Sequence, residues 1–221
     1  MTMIFADRKQ AGQALAQSLS EYAGRADTVL LALPRGGVPV AAEMAAALRL
    51  PLDILLVRKL GVPGHEEYAM GAIAEGGSCY LDHALIHSLG ITDEQVAAIR
   101  RREESELQRR GQAYRGAAAM PNLSGRTAIL VDDGLATGAT MLAAISAARD
   151  MGAAAVVVAV PVAAAETGHR LEALVDALIC PHLIEPLRGV GLWYEDFSQV
   201  SDEVVTRLLS QHRPGGDHDR S

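Results

Sequence analysis

Ala128-Ile129-Leu130-Val131-Asp132-Asp133-Gly134-Leu135-Ala136-Thr137-Gly138-Ala139-Thr140 is the stretch that decides the fold of this chain. Four apolar residues lead into two adjacent acids, then into a loop of small and hydroxyl-bearing residues. A helical pattern runs from Met141 to Met151. A short apolar run bounded by turn residues reads as a buried strand of a parallel sheet. The loop leaves that strand at its carboxyl end, where open α/β sheets bind ligands. Gly134 and Gly138 allow tight turning and a close approach of backbone to ligand. Thr137 and Thr140 supply hydroxyls, and the helix N-terminus beyond them favours an anion. Two carboxylates beside an anion cradle suit a sugar phosphate, with hydroxyls on the acids. No lysine lies in the loop, so it is not a P-loop.

Strand and helix patterns alternate on both sides of this unit. An amphipathic helix is predicted over Asp7–Tyr22, a strand over Thr28–Leu33 and an alanine-rich helix from Val38 to Leu48. A second strand is predicted over Pro51–Val57, with Arg58 and Lys59 at its carboxyl end. Leu60–Met70 reads as a polar, mobile loop, and Gly76-Gly77 as a hairpin turn. Thr92 with Gln95 reads as a capping box that starts a long charged helix to about Tyr114. That helix is read as mainly solvated, with a lid or dimer contact as the alternative. Strands over Ala153–Val160 and Ala177–Cys180 and a helix over Ala165–Leu174 complete the pattern. The alternation implies an α/β fold, a doubly wound, mainly parallel sheet flanked by helices. One domain is expected over residues 1–212, with a small hood contributed by about 181–209 and a disordered tail over 213–221.

With 221 residues the chain can bury a full core, and its net charge of −7 argues against a generic nucleic-acid binder. Cys79 and Cys180 are far apart and lack metal-ligand spacing, which suits a reduced cytoplasmic protein. The N-terminal residues lack the apolar core of a signal peptide, and no run is long enough to span a membrane.

The stretch from Ala128 to Thr140 resembles the 5-phosphoribosyl-1-pyrophosphate (PRPP) motif of type I phosphoribosyltransferases at every position. The order Arg58-Lys59-x-Gly61, followed by Pro63-Gly64 and acids, is most similar to the adenine-type branch. The resemblance implies transfer of a 5-phosphoribosyl group from Mg²⁺-bound PRPP to a nitrogenous base or similar heterocyclic amine, with release of pyrophosphate. It implies ribose and 5-phosphate contacts from Asp132, Asp133, Gly134, Ala136, Thr137, Gly138, Ala139 and Thr140. Asp132 and Asp133 would hold Mg²⁺ through water. Pro34-Arg35-Gly36-Gly37 taken alone is equally a plain β-to-α turn. The resemblance makes it a pyrophosphate loop, often with a cis peptide, in which Arg35 and Gly36 act together with Arg58 and Lys59. The segment after Lys59 would be the flexible catalytic loop, with Glu66, Glu67 and Lys59 as catalytic candidates. Hypoxanthine-guanine enzymes carry an acid where this chain has Ala136, so the proton is either handled elsewhere, by Glu66 or Glu67, or needs no protein base. Trp193 and Tyr194 fall in the family's hood and are candidates to stack on the acceptor, or else form a mini-core under the last helix. A homodimer matches the family habit. The alternatives are a PRPP- or nucleotide-sensing regulator without catalysis, or a phosphoribosyl hydrolase.

Overall fold

The structure is a computed structural model that describes residues 5–116 and 118–212, excluding the Glu67 side chain. Five strands form a parallel sheet in the order β2 (Leu52–Ile54), β1 (Thr28–Ala32), β6 (Thr127–Val131), β7 (Ala155–Ala159), β9 (Ala177–Ile179). Every residue of β1 and β6 is buried, so these strands carry unbroken apolar runs rather than alternation. Both faces are covered. Leu30, Ala32, Ile129 and Val131 pack with helices α1 (Arg8–Ser18), α2 (Gly37–Leu48) and α7 (Asp202–His212). Val29, Leu31, Ala128 and Leu130 pack with α5 (Ala139–Asp150) and α6 (Ala165–Glu172). Truncating such a leucine to alanine costs about 2–5 kcal/mol. Small residues let helices close on one another: a Cβ on Gly12 of α1 would stand 2.4 Å from the Val40 carbonyl oxygen of α2.

A separate antiparallel sheet joins β3 (Val57–Val62), β4 (His65–Ala74) and β5 (Cys79–Leu81). Helix α3 (His83–Ser88) follows it, and the long helix α4 (Asp93–Arg115) packs on β3. Thr92 and Gln95 form the capping box expected from the sequence. The predicted strand over Pro51–Val57 is split: β2 ends at Ile54, and Arg58 and Lys59 lie inside β3, which leaves the parallel sheet. The predicted loop over Leu60–Met70 is instead a β-hairpin. Its two-residue turn is Pro63-Gly64, with Gly64 at φ 77°. Proline pre-sets the first turn position and glycine takes the left-handed second, so this dipeptide was the hairpin signal. The polar residues beyond it masked the strand period. A register shift at Gly61 brings the two strands so close that a Cβ there would sit 2.5 Å from the Glu66 carbonyl oxygen.

A second parallel pair, β8 (Val162–Ala164) and β10 (His182–Ile184), was not read from the sequence. Phe5 bonds to the chain after β10: its amide donates to the Trp193 carbonyl at 2.8 Å. Phe5, His182, Trp193, Tyr194 and Phe197 stack in a chain of rings 5.1–5.7 Å apart. The tail expected to be disordered, 213–221, lies outside the described residues.

Candidate active site

The loop between β6 and α5 is held from the side away from any ligand. The Leu135 amide donates to the Val162 carbonyl, and the Ala164 amide donates back to the Leu135 carbonyl, both at 2.9 Å. Two side chains of α6 take the next carbonyls: Thr167 Oγ1 donates to Ala136 at 2.6 Å and Arg170 Nη2 to Thr137 at 2.5 Å. Gly138 turns the chain into α5 at φ 74°, where a Cβ would meet the Thr167 methyl at 2.6 Å. Among the described residues, the amides of Ala136, Thr137, Gly138, Ala139 and Thr140 donate to no other group. Pinned carbonyls and unpaired amides at a helix N-terminus form an anion cradle.

The two acids behave differently. Asp132 lines a cleft of about 410 Å³ together with Thr140. Its Oδ1 accepts the Asp133 amide at 2.8 Å. Burial, and then the neighbouring Asp133 carboxylate, push its carboxyl well above the usual range. Asp133 is not among the residues lining the cleft. Its Oδ2 accepts Nε of Arg8 at 2.8 Å and pairs with Nη2 at 2.8 Å, and Gly36 lies so near that a Cβ there would overlap it at 1.9 Å. Burial raises the Asp133 carboxyl as well, against the pull of Arg8. The Tyr194 hydroxyl donates to the Asp133 carbonyl at 2.6 Å. Asp133 is thus tied to Arg8 and Tyr194, while Asp132 lines the cavity.

The same cleft is lined by Pro34, Arg58, Lys59, Gly61, Glu66, Arg102, Glu103 and Arg110. The structure therefore gathers Asp132, Thr140, Arg58, Lys59 and Glu66 of the predicted set. Arg58 is held by the buried carboxylate of Glu103, with Nε and Nη2 2.8 and 2.7 Å from Oε2. Glu66 Oε1 accepts Arg102 Nη1 at 3.1 Å. Gly36 and residues 134–139 lie outside the lining. Arg35 also lies outside it and faces Asp202 at 3.7 Å; its peptide bond with Pro34 is cis. Tyr194 is 6% exposed, between Phe5 and Phe197, with its hydroxyl on the loop. Trp193 stacks on His182. The Glu67 side chain lies outside the described residues.

Sequence reasoning missed Arg8, Thr167, Arg170 and the α4 side chains. Arg8 was read as part of a packing helix, yet it is 9% exposed, with its guanidinium 3.9 Å above the Phe197 ring and bonded to the Ser198 carbonyl. Arg102, Glu103 and Arg110 were read as part of a solvated face. A larger groove of about 500 Å³ between α1, α2 and α7 holds none of the predicted residues.

Among the described residues no group of three or more His, Cys, Asp or Glu could hold a metal ion. Asp132 Oδ2 and Asp133 Oδ1 accept no hydrogen bond from another of the described residues. Two hard oxygens of this kind fit Mg²⁺, which takes one or two carboxylates and fills its remaining positions with water and ligand phosphates. No helix is long and apolar enough to cross a membrane among the described residues.

Comparison with known proteins gives the family of this chain. Two Mycobacterium tuberculosis proteins named as phosphoribosyl transferases, one from each of two strains, are 43% identical over 211 residues, 95% of this chain. The chain spans about half of their length, 47%. The crystal structure of TT1426 from Thermus thermophilus superposes with a TM-score of 0.82 at 39% identity, over 96% of this chain and all of that one. The phosphoribosyl transferase domain matches residues 2–191, which include the anion cradle, both acids and the cationic cleft: the chain belongs to the phosphoribosyl transferase family.

Proposed function

We propose that the protein binds Mg²⁺-PRPP and transfers its 5-phosphoribosyl group to a nitrogen of a base or similar heterocyclic amine, releasing pyrophosphate. The observation that carries this reading is the row of unpaired amides over residues 136–140 beside a cleft holding Asp132 and cations. The 5-phosphate sits on the amides and the Thr140 hydroxyl. Asp132 accepts the ribose hydroxyls. Asp133 shapes the loop through Arg8 and offers its second oxygen. Bound magnesium would screen the diphosphate from these carboxylates and make pyrophosphate a better leaving group. Arg58 and Lys59 neutralise the charge that grows on the diphosphate as the bond to C1 breaks. The β3–β4 hairpin keeps water from the cationic ribosyl centre. The acceptor nitrogen attacks C1 and loses its proton to solvent or to a carboxylate of the hairpin.

Asp132→Asn combined with Asp133→Asn tests the assignment. Calorimetry in magnesium buffer should show PRPP binding by the parent and none by the variant; unchanged affinity rejects the reading. Pyrophosphate release across a panel of bases identifies the acceptor. The proposal includes a homodimer, which light scattering on the purified protein checks, located in the cytoplasm, which cell fractionation checks.

A further inference from the structure

Helix α4 buries one stripe at helical spacing, Glu103, Leu107, Gly111 and Tyr114. One residue earlier runs a second stripe, Arg102, Glu106 and Arg110, at i, i+4 and i+8 and therefore on one face. Arg102 and Arg110 line the same cleft as Asp132, Thr140, Arg58 and Lys59. Acids alone hold them. Arg102 Nε donates to Glu103 Oε1 at 3.0 Å and Nη1 to Glu66 Oε1 at 3.1 Å. Arg110 Nε donates to Glu106 Oε1 at 2.7 Å. Arg102 Nη2 and both Nη of Arg110 donate no hydrogen bond among the described residues. Arg102 and Glu66 are 58% and 70% exposed, and a pair so wet is easily exchanged for a better anion. A diphosphate is such an anion, because it accepts bidentately from guanidinium groups.

We infer that α4 is the second wall of the diphosphate subsite: Arg102 and Arg110 bind the diphosphate, and Glu66 is a latch that occupies Arg102 until the ligand displaces it. This rests on the PRPP reading above. The latch ties the β3–β4 hairpin to α4 across 36 residues of sequence, so ligand entry and hairpin release become one event.

The test is calorimetry of the whole chain with magnesium and inorganic pyrophosphate, which contains no ribose. Arg102→Ala and Arg110→Ala should each weaken binding about tenfold, the size of one lost charge-assisted hydrogen bond. Glu66→Gln should tighten it about two- to fivefold by freeing Arg102. Arg100→Ala, on the same helix but paired with Glu104 outside the cleft, should change nothing. All four side chains are largely exposed or at the rim, and circular dichroism would confirm folding of each variant. Equal weakening by Arg100→Ala reduces the effect to net charge and overturns the inference, as does an unmoved affinity in the arginine variants. Parent protein that binds pyrophosphate but not PRPP would keep the subsite and remove the transfer reading. PRPP binding with unaltered arginine variants would do the reverse.

Discussion

The two halves of the cleft are built on different principles. The β6–α5 half is defined by backbone. Its carbonyls are claimed by Thr167, Arg170 and β8, its position is pinned by Arg8 and Tyr194, and its amides over 136–140 have no partner among the described residues. The hairpin–α4 half is defined by side-chain charge, with Arg58, Arg102 and Arg110 each resting on a carboxylate. Backbone held on one side can be rigid without a ligand. Charges held by other charges can change partners. The first half therefore reads as a fixed cradle and the second as an exchangeable clamp.

Removing the pin should have the largest effect. Arg8→Ala leaves the largely buried Asp133 unpaired and empties the space above Phe197. Deleting one member of a buried pair costs about 3–5 kcal/mol. Because burial already raises the Asp133 carboxyl, protonation can replace the lost partner, so the cost should be smaller at pH 5 than at pH 8. Urea midpoints at the two pH values measure this, and a loss below about 1 kcal/mol at pH 8 would mean the loop is not pinned there. Thr167→Val should cost about 1 kcal/mol, since the exposed Ala136 carbonyl can take water in place of the hydroxyl.

The contrast also explains what could be read from sequence. The cradle is legible because it is contiguous: Ala128 to Thr140 carries strand, acids, turn glycine and helix start in one run. The parallel sheet follows from unbroken apolar strands such as Val156 to Val160. The clamp is assembled from residues far apart, Arg58 with Glu103 over 45 positions and Glu66 with Arg102 over 36. Nothing local distinguishes Arg102 from Arg100, although one lines the cleft and the other pairs with Glu104. Arg8 was hidden for the same reason, lying 125 positions from Asp133. For Tyr194 an aromatic cluster signals stacking without saying what is stacked. Here the partners are Phe5 and Phe197.

Asp132 gives the cradle its own pH signature. Its carboxyl is raised in the folded chain, so the folded state binds more protons than the unfolded one between the two pKa values. Stability then falls as pH rises from the ordinary aspartate range through the raised value. Asp132→Asn removes that penalty and should raise the melting temperature at pH 8 relative to the parent, with little difference near pH 3, while weakening PRPP binding. A site that relinquishes stability for ligand affinity behaves this way. Equal melting shifts at both pH values would place the Asp132 charge outside the folding balance.

The clamp should show the opposite balance, and Glu106 gives the smallest effect. Its carboxyl is held down to about 2 by hydrogen bonds from Arg109 and Arg110. A depressed acid contributes stability above the ordinary glutamate pKa and loses it as pH falls through the lower value. These pairs lie at the protein surface, however, and surface pairs contribute roughly 0–1 kcal/mol. Glu106→Gln should accordingly leave the melting temperature almost unchanged at pH 7 and show its small deficit vanish near pH 2. Its larger consequence should be functional, because Arg110 loses the carboxylate that competes with a diphosphate. Tighter pyrophosphate binding with unchanged stability would separate the two halves of the cleft by what each charge is for. Lost stability without a gain in binding would make α4 a structural charge ladder and dissolve the distinction.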